Sequence, residues 1–230
     1  ADRAEYWFGE MKKAGVKPTK RAYAALIRAH ARRVKGTRWT DRDPEQIQHV
    51  MELLPEMREQ GIHPDAPLFN ALIDLCAKFR DSDGANRFFA DMKSSGVKPN
   101  SYTFGSLFNA LSVGGDPGVI SGLVKEMRES GIKPNLVMYA EIMNACVSSK
   151  DPTGLDLAEE TMKEVKHAVG KPDIFLLSAC VRLHRNNPAD IRPKKWILWI
   201  LDAGVNPKKL LSREGRQLVQ KIRLESASER

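Results

Sequence analysis

A tetrad of the form Gly-hydrophobic-x-Pro recurs along this 230-residue chain and constrains its fold more than any other feature. When a weaker version that begins at Val169 is counted, the prolines of successive copies are 46, 35, 35, 38 and 35 residues apart. Glycine favours the left-handed conformation that ends a helix, and proline cannot continue a helix. Each tetrad therefore predicts the end of a helix. The five full copies begin at Gly15, Gly61, Gly96, Gly131 and Gly204.

A methionine lies seven residues before the proline in four copies, at Met11, Met57, Met92 and Met127. A shared register of this kind indicates internal repetition. Each period contains two helical patterns: apolar residues recur at helical spacing over 65–78, for example, and a second segment over 85–95 leads into the next tetrad. Because neither helix covers its apolar face alone, the helix pairs must stack. We therefore predict an all-α fold, a right-handed α-solenoid (superhelix) of stacked helix-turn-helix hairpins.

The net charge of +8 is unevenly distributed. Residues 16–40 hold eight basic side chains and no acidic one, residues 181–213 sum to +6, and residues 41–180 sum to −7. Basic ends favour a polyanionic partner, whereas the acidic middle argues against one uniformly basic groove. Ordinary solvated helix faces are the alternative interpretation of these charges.

The sequence lacks the patterns that are typical of several classes of function. Three distant cysteines (Cys76, Cys146 and Cys180) exclude a disulfide framework and a CxxC-type zinc site. The five histidines have no metal-ligand spacing, and neither a glycine-rich phosphate loop nor a GxSxG motif is present. No apolar run reaches the ~18 residues that a membrane span needs. We therefore expect no metal, no cofactor, no small-molecule substrate, no membrane contact and no enzymatic activity.

The repeat ending Met-x-x-x-Gly-[Val/Ile]-x-Pro-[Asp/Asn] and the starts at 23–27, 68–73 and 102–104 resemble those of pentatricopeptide repeats. Tetratricopeptide repeats, the nearest rival, lack this ending. The resemblance covers about 1–207: a truncated repeat over 1–15, then repeats that start near residues 20, 66, 101, 136 and 174. A C-terminal capping helix and tail are expected over 208–230. The first repeat has 11 extra residues around 35–44 and the fourth has three near 165–169, and we expect both insertions in loops.

The resemblance implies binding of single-stranded RNA, with one base per repeat. In this family the fifth and last residues of a repeat read the base, and Asn70 with Asn100 resembles a pyrimidine-reading pair. Ala24, Gly105 and Ala140 stand at other fifth positions and offer no side-chain hydrogen bond, so the code is largely degenerate. The base-reading candidates are Asp65, Asn70, Asn100, Asn135, Asp173, Ser178 and Lys208.

The resemblance also assigns roles to the second and thirteenth residues of a repeat. Second residues flank bases in this family, which makes Tyr102, Val137 and Phe175 candidates for base stacking; for Tyr102 and Phe175, packing in the core between repeats is the alternative. Arg32 and Lys78 stand at the thirteenth position, where the family carries a phosphate-contacting lysine. With the neighbouring basic residues, the phosphate-contact candidates are Arg21, Arg28, Arg32, Arg33 and Lys78.

Trp196 and Trp199 lie three residues apart, hence on one face of a predicted helix. They are candidates for a protein interface, because tryptophan is enriched at binding hot spots. The alternative is that the final helix covers this face.

Two functions fit these observations. The first is a single-stranded RNA-binding adaptor in organellar RNA metabolism, in processing, splicing, stability or translation. The alternative is a structural scaffold subunit of an organellar ribosome or another large complex, which binds protein and RNA backbone without sequence readout. A protein partner or a homodimer is open in both cases. A mitochondrial or chloroplast location follows from the resemblance alone, and the sequence contains no visible targeting segment.

Overall fold

Twelve α-helices and no strand make up the part of the chain that the computed structural model describes, namely residues 2–33, 44–112, 115–148, 152–168, 171–207 and 211–228. This confirms the predicted all-α fold. No helix in these ranges is long and apolar enough to cross a membrane. The helices are α1 (Asp2–Lys13), α2 (Lys20–Arg33), α3 (Pro44–Glu59), α4 (Ala66–Phe79), α5 (Ser82–Ser94), α6 (Ser101–Leu111), α7 (Pro117–Glu129), α8 (Leu136–Ser148), α9 (Pro152–Ala168), α10 (Ile174–Asn186), α11 (Ile191–Asp202) and α12 (Arg213–Ser228).

The glycines of all five full tetrads adopt positive φ angles, between 70° and 88°. At Gly96, the amide donates to the Lys93 carbonyl at 3.0 Å, and the amide of Val97 donates to the Met92 carbonyl at 3.1 Å. These bonds satisfy carbonyls that the end of α5 would otherwise leave free. The tetrads end helices as predicted.

The chain forms two compact units, Ala1–Ala110 and Leu111–Arg230. In the first unit, α2 packs against α1, α3 and α4, and α4 packs against α5. In the second, α8 packs against α9 and α10, α7 against α9, and α12 against both α10 and α11. Within each unit, first helices of neighbouring repeats thus lie side by side, α2 beside α4 and α8 beside α10. The division into a repeat array over 1–207 and a cap over 208–230 stays a prediction.

The recurring methionines at 57, 92 and 127 are almost completely buried. A flexible, unbranched side chain fills irregular gaps between helices. This packing gives a physical reason for the methionine register in the sequence.

The extra residues of the fourth repeat lie in a helix, and the expectation of a loop was wrong. Helix α9 has 17 residues, whereas α5 and α7 have 13 each. Because α9 continues to Ala168, the additional residues lengthen this helix and take part in its backbone hydrogen bonding. The predicted insertion around 35–44 lies almost entirely outside the described residues.

The three cysteine side chains are buried and unpaired with one another. Burial raises the pKa of the Cys146 thiol to about 12 and raises the pKa of Cys76 and Cys180 as well. A thiol in such surroundings stays protonated and behaves as a small apolar side chain. Among the described residues, no group of three or more His, Cys, Asp or Glu side chains is arranged to hold a metal ion.

Candidate nucleic-acid interface

Four of the predicted base-reading residues cap the first helices of repeats. The Oδ1 atom of Asp65 accepts from the Leu68 amide at 3.2 Å, and Asp173 accepts from Leu176 at 2.8 Å. Asn100 and Asn135 make the same bond to residues 103 and 138, at 3.1 and 3.0 Å. Because an N-cap satisfies an otherwise unpaired amide, the last residue of each repeat is held at the start of the next first helix.

The predicted pair of Asn70 and Asn100 is brought into contact. The Asn70 amide donates from Nδ2 to Asn100 Oδ1 at 3.4 Å. A third residue, Thr103, donates its hydroxyl to Asn70 Oδ1 at 2.6 Å and accepts from the Asn100 backbone amide at 3.0 Å. The Asn70 side chain is buried at 8% exposure, so it reaches the surface only at its edge. Sequence reasoning missed Thr103, although its place three residues after an N-cap was visible.

The cap residue Asp65 is also engaged by a cation. Lys20 Nζ lies 3.2 Å from Asp65 Oδ2. The ion pair joins α2 to the start of α4 and partly neutralises the carboxylate. The fifth residue of this repeat, Ala24, has no polar side-chain group. Base readout by this repeat would therefore depend on Asp65 Oδ2, which already has Lys20 as a partner.

A cavity of the second unit lies between α8, α10 and the turn before α12, with a volume of about 570 Å³. Two exposed apolar side chains line it, Val137 at 64% and Phe175 at 57% exposure. Both stand at the second position of their helices. The rest of the lining is Ala140, Glu141, Asn144, Ser178, Val181, Arg182, Arg185, Leu211, Ser212 and Gly215.

The three base-stacking candidates are therefore surface residues. Tyr102, in the first unit, is 58% exposed, close to the values of Val137 and Phe175. The exposure of Tyr102 and Phe175 contradicts the alternative that they pack in the core between repeats. A partly exposed ring or branched apolar side chain is available to contact a flat partner.

The residue that caps α12 is Ser212, which sequence spacing did not identify. Its hydroxyl accepts from the Gly215 amide at 3.1 Å, the bond that the other cap residues make. The predicted partner of Ser178, Lys208, lies outside the described residues. The prediction for Lys208 therefore stays a prediction, and α12 begins at Arg213. A serine directly before a helical apolar pattern (Leu218, Val219, Ile222) was the usable signal.

The phosphate-contact candidates separate into two kinds. Arg21, Arg28 and Arg32 are all exposed, and their spacing of seven and four residues places them along one face of α2. Lys78 instead donates to Asp74 at 2.7 Å within α4, so its charge is partly compensated. Arg33 belongs to α2, but its side chain lies outside the described residues. The stripe on α2 is a basic surface of the first unit.

The two tryptophans of α11 have different environments. Trp196 is 5% exposed and belongs to the buried core, so it is not available as a surface anchor for a protein partner. Trp199 is half-buried, and Lys166 Nζ lies 5.2 Å from its ring centre. The core position of Trp196 corrects half of the predicted protein interface.

Comparison with known proteins decides the family. A model described as the pentatricopeptide repeat domain matches residues 1–33, 102–149 and 122–182, and a model of the PPR repeat family matches 64–113. The chain belongs to the pentatricopeptide repeat family. A chloroplastic pentatricopeptide repeat-containing protein of Arabidopsis thaliana is 34% identical over 89 residues, which are 38% of this chain and 10% of that relative. The chain thus spans a tenth of the length of this relative.

Solved structures of the family share the fold. The PPR domain of Arabidopsis thaliana protein-only RNase P 1, in complex with tRNA, has a TM-score of 0.62 and covers 86% of this chain and 94% of that chain. PPR10 in complex with an 18-nt psaJ RNA element has a TM-score of 0.66 over 98% of this chain and 32% of that chain. PPR10 from maize gives 0.59 over 100% and 37%. All three are 18% identical to this chain, so they support its helical repeat fold.

Proposed function

We propose that this pentatricopeptide repeat chain binds single-stranded RNA, and that a base enters the cavity between α8 and α10. The observation that carries the proposal is the exposure of Val137 and Phe175 at equivalent positions of neighbouring first helices, on either side of a concave surface. Stacking of a base on an aromatic side chain contributes ~1–3 kcal/mol. The structures of relatives with tRNA and with an RNA element support this reading.

The charge distribution supports the same partner. The exposed stripe of Arg21, Arg28 and Arg32 on α2 offers three cations to a phosphate backbone. Such contacts supply affinity and position the strand but carry no base information. We infer an adaptor role in organellar RNA metabolism, which the chloroplastic relative supports. The repeats serve binding in this proposal.

Base readout in the second repeat is a separate part of the proposal. Asn70 and Asn100 form a hydrogen-bonded pair, and amide groups suit the Watson–Crick edge of a base. We propose that this pair prefers pyrimidines. At three other described fifth positions, Ala24, Gly105 and Ala140 provide no side-chain donor or acceptor, whereas Ser178 offers a hydroxyl that both donates and accepts. We therefore expect one selective base position and several tolerant ones.

The experiment is a titration of the chain with single-stranded homopolymers and a random-sequence RNA, at low and near-physiological salt. Phe175→Ala should weaken binding roughly 5- to 100-fold, which corresponds to the stacking contribution. Val119→Ala is the matched control, because Val119 is an exposed apolar residue of α7 that does not line the cavity. Equal effects of both variants, or no binding by the wild type, would contradict the proposal.

The paired amides need a variant of their own. The double variant Asn70→Ala and Asn100→Ala should lose the preference for pyrimidine over purine homopolymers and keep most of the affinity that phosphate contacts provide. An unchanged preference would mean that the pair reads no base. Thermal unfolding of the variant checks that α6 still forms, since Asn100 is its N-cap.

A structural scaffold is the second candidate function. Tyr6 and Trp7 form an edge-to-face pair with ring centres 5.3 Å apart on α1, and they are 60% and 62% exposed. Exposed aromatic pairs favour protein contact. A scaffold that touches only RNA backbone should bind with a steep salt dependence and no base preference, and Phe175→Ala would then leave RNA affinity unchanged.

A further inference from the structure

We propose that Arg182 binds the phosphate of a nucleotide in the cavity between α8, α10 and α12, and that Asn144 positions it. The inference deepens the proposed RNA binding and rests on it. It concerns the ninth residue of each first helix, a position that the family resemblance did not single out. The ligand class is one nucleotide unit of a single strand, with its base beside Phe175 and its phosphate at the guanidinium.

The orientation of Arg182 is set by a short chain of hydrogen bonds. Arg182 donates through Nη2 to Asn144 Oδ1, and Asn144 Nδ2 donates to Glu141 Oε2 at 3.4 Å. The two bonds fix which end of the Asn144 amide faces the arginine. Because the partner of Arg182 is a neutral amide, its positive charge is not compensated by this contact, and further N–H donors of the guanidinium remain for an anion.

Other arginines of the second unit differ in this respect. Arg185 also lines the cavity, but its Nη2 lies 3.2 Å from Glu214 Oε2. Arg192, on α11, is bonded to three carboxylates. Within the described part of the chain, Arg182 has no carboxylate partner, and it is exposed. It is therefore the cation of the lining whose charge is available to a ligand.

The spacing along α10 matches the parts of a nucleotide. Phe175, Ser178 and Arg182 are separated by three and four residues, so they share one helix face. A rise of 1.5 Å per residue places the first and last about 10 Å apart along the axis. A ring for stacking on the base, a hydroxyl for the base edge and a guanidinium for the phosphate thus follow one another along the helix.

Ser212 adds a second hydroxyl to the same lining. A serine hydroxyl both donates and accepts hydrogen bonds. Two serines, Ser178 and Ser212, can therefore satisfy base edges of different donor and acceptor patterns. We infer that the cavity accepts a nucleotide without selecting one base, and that the first turn of α12 forms part of the binding surface.

One charge in the lining opposes the proposal. The Glu141 carboxylate also faces the cavity and repels a phosphate. Its bond to Asn144 ties it to the far side of the amide from Arg182. Replacement by the neutral isostere, Glu141→Gln, should keep the hydrogen bond and strengthen RNA binding severalfold at low salt.

The test uses the whole chain and a fluorescent single-stranded RNA, such as oligouridine, whose length matches about one turn of the repeat array. The chain is titrated against this RNA at a series of salt concentrations. Arg182→Gln should weaken binding and reduce the slope of log K against log salt by ~0.7, the value for one phosphate contact on a single strand. Asn144→Ala should weaken binding and leave the salt slope unchanged, because it removes no charge. Arg223→Gln is the matched control, since Arg223 is exposed on α12 and does not line the cavity.

Competition identifies the source of the phosphate. Uridine monophosphate, adenosine monophosphate and inorganic phosphate are each added, in separate experiments, to the complex with the labelled RNA. Equal competition by the two nucleotides, and weaker competition by inorganic phosphate, supports a base-tolerant nucleotide site. Inorganic phosphate that competes as well as the nucleotides would overturn the site as proposed and leave a bare anion site.

The outcomes for the two proposals are distinguishable. If Phe175→Ala weakens binding while Arg182→Gln matches Arg223→Gln in affinity and salt slope, RNA binding stands and the role of Arg182 is refuted. If the wild type binds no RNA and no nucleotide, both proposals fail. Far-ultraviolet circular dichroism of Arg182→Gln controls for folding.

Discussion

The Lys166 ammonium group lies 5.2 Å from the centre of the Trp199 ring, where it faces the aromatic π-system. This contact joins α9 to α11, the second helices of neighbouring repeats. Equivalent places in other second helices carry ion pairs, in which a cation of one helix meets an acid of the next. These are Lys12 with Glu56 at 2.6 Å, Arg58 with Asp91 at 3.4 Å, and Arg128 with Glu164.

A common register underlies these contacts. In α3, the acid Glu56 and the cation Arg58 stand on either side of the buried Met57, and α5 repeats the pattern around Met92. In α11, Trp199 occupies the place of the acid, directly before the buried Ile200. A cation–π contact therefore replaces an ion pair, which gives Trp199 a structural role within the second unit.

A double-mutant cycle on Lys166→Met and Trp199→Leu should measure this contact. We expect a coupling free energy of ~0.5–1 kcal/mol, typical of a partly exposed cation–π pair. Urea unfolding provides the four free energies of unfolding. Lys163→Met paired with Trp199→Leu is the control, since Lys163 pairs with Glu159 at 3.1 Å on the same helix, and its coupling should be near zero. Equal coupling for both lysines would rule out a specific ring contact.

The Arg192 guanidinium should make the stability of the second unit depend on acid pH. It donates to Asp190 at 2.8 Å and to Asp156 at 2.9 Å, and hydrogen bonds from Arg192 hold the pKa of the Asp190 carboxyl below its usual value. A depressed pKa in the folded state stabilises the fold above the unfolded-state pKa of about 3.9, and this contribution is lost as the pH falls through the lower folded value.

Arg192→Met should therefore lower the free energy of unfolding at neutral pH, and its difference from wild type should narrow below about pH 3.9. Chemical unfolding between neutral and acidic pH measures this difference. Lys195→Met, which changes an exposed cation of the same helix, should follow the wild-type pH profile. A constant difference across the range would contradict the linkage.

Substitution of Gly96 and of Gly122 by alanine separates the effect of backbone conformation on stability from that of packing. A Cβ atom at either position meets no atom within 4 Å, but Gly96 has φ of +71° whereas Gly122 lies inside α7. Gly96→Ala should cost ~1–2 kcal/mol, because an L-residue is strained in the left-handed region. Gly122→Ala should stabilise by ~1 kcal/mol through helix propensity. Thermal unfolding of both variants checks the opposite signs, and a shared sign would contradict the argument.

The buried network of Thr103 and Asn70 should be strongly non-additive. Thr103→Val removes the hydroxyl that donates to Asn70 Oδ1 and leaves a buried acceptor unsatisfied, at a cost of ~1–3 kcal/mol. Asn70→Leu in addition removes that acceptor, so the double variant should be more stable than the sum of the two single changes predicts. Urea denaturation of the three variants tests this, and simple additivity would show that the hydrogen bond contributes little.

The sequence predicted the helical architecture well because its determinants are local. A glycine at positive φ and a proline that cannot extend a helix act on their own backbone, so the tetrads at Gly96 and Gly131 locate helix ends without tertiary information. Cap residues such as Asp173 act within one turn. The family resemblance identified the fifth and last residues of the repeats from the same repeat register.

The tertiary structure decided which side chains are available, because burial depends on residues far apart in the chain. Sequence spacing treated Trp196 and Trp199 alike, but the packing of α11 buried the first and left the second beside Lys166. Spacing did not single out Ser212, which the start of α12 put at the cavity. The sequence by itself determined the repeat period, because the glycine and proline residues that end each helix act locally. The cavity and the orientation of Arg182 by Asn144 arise only when α8, α10 and α12 pack side by side, because contacts between helices depend on tertiary geometry that the repeat period does not specify.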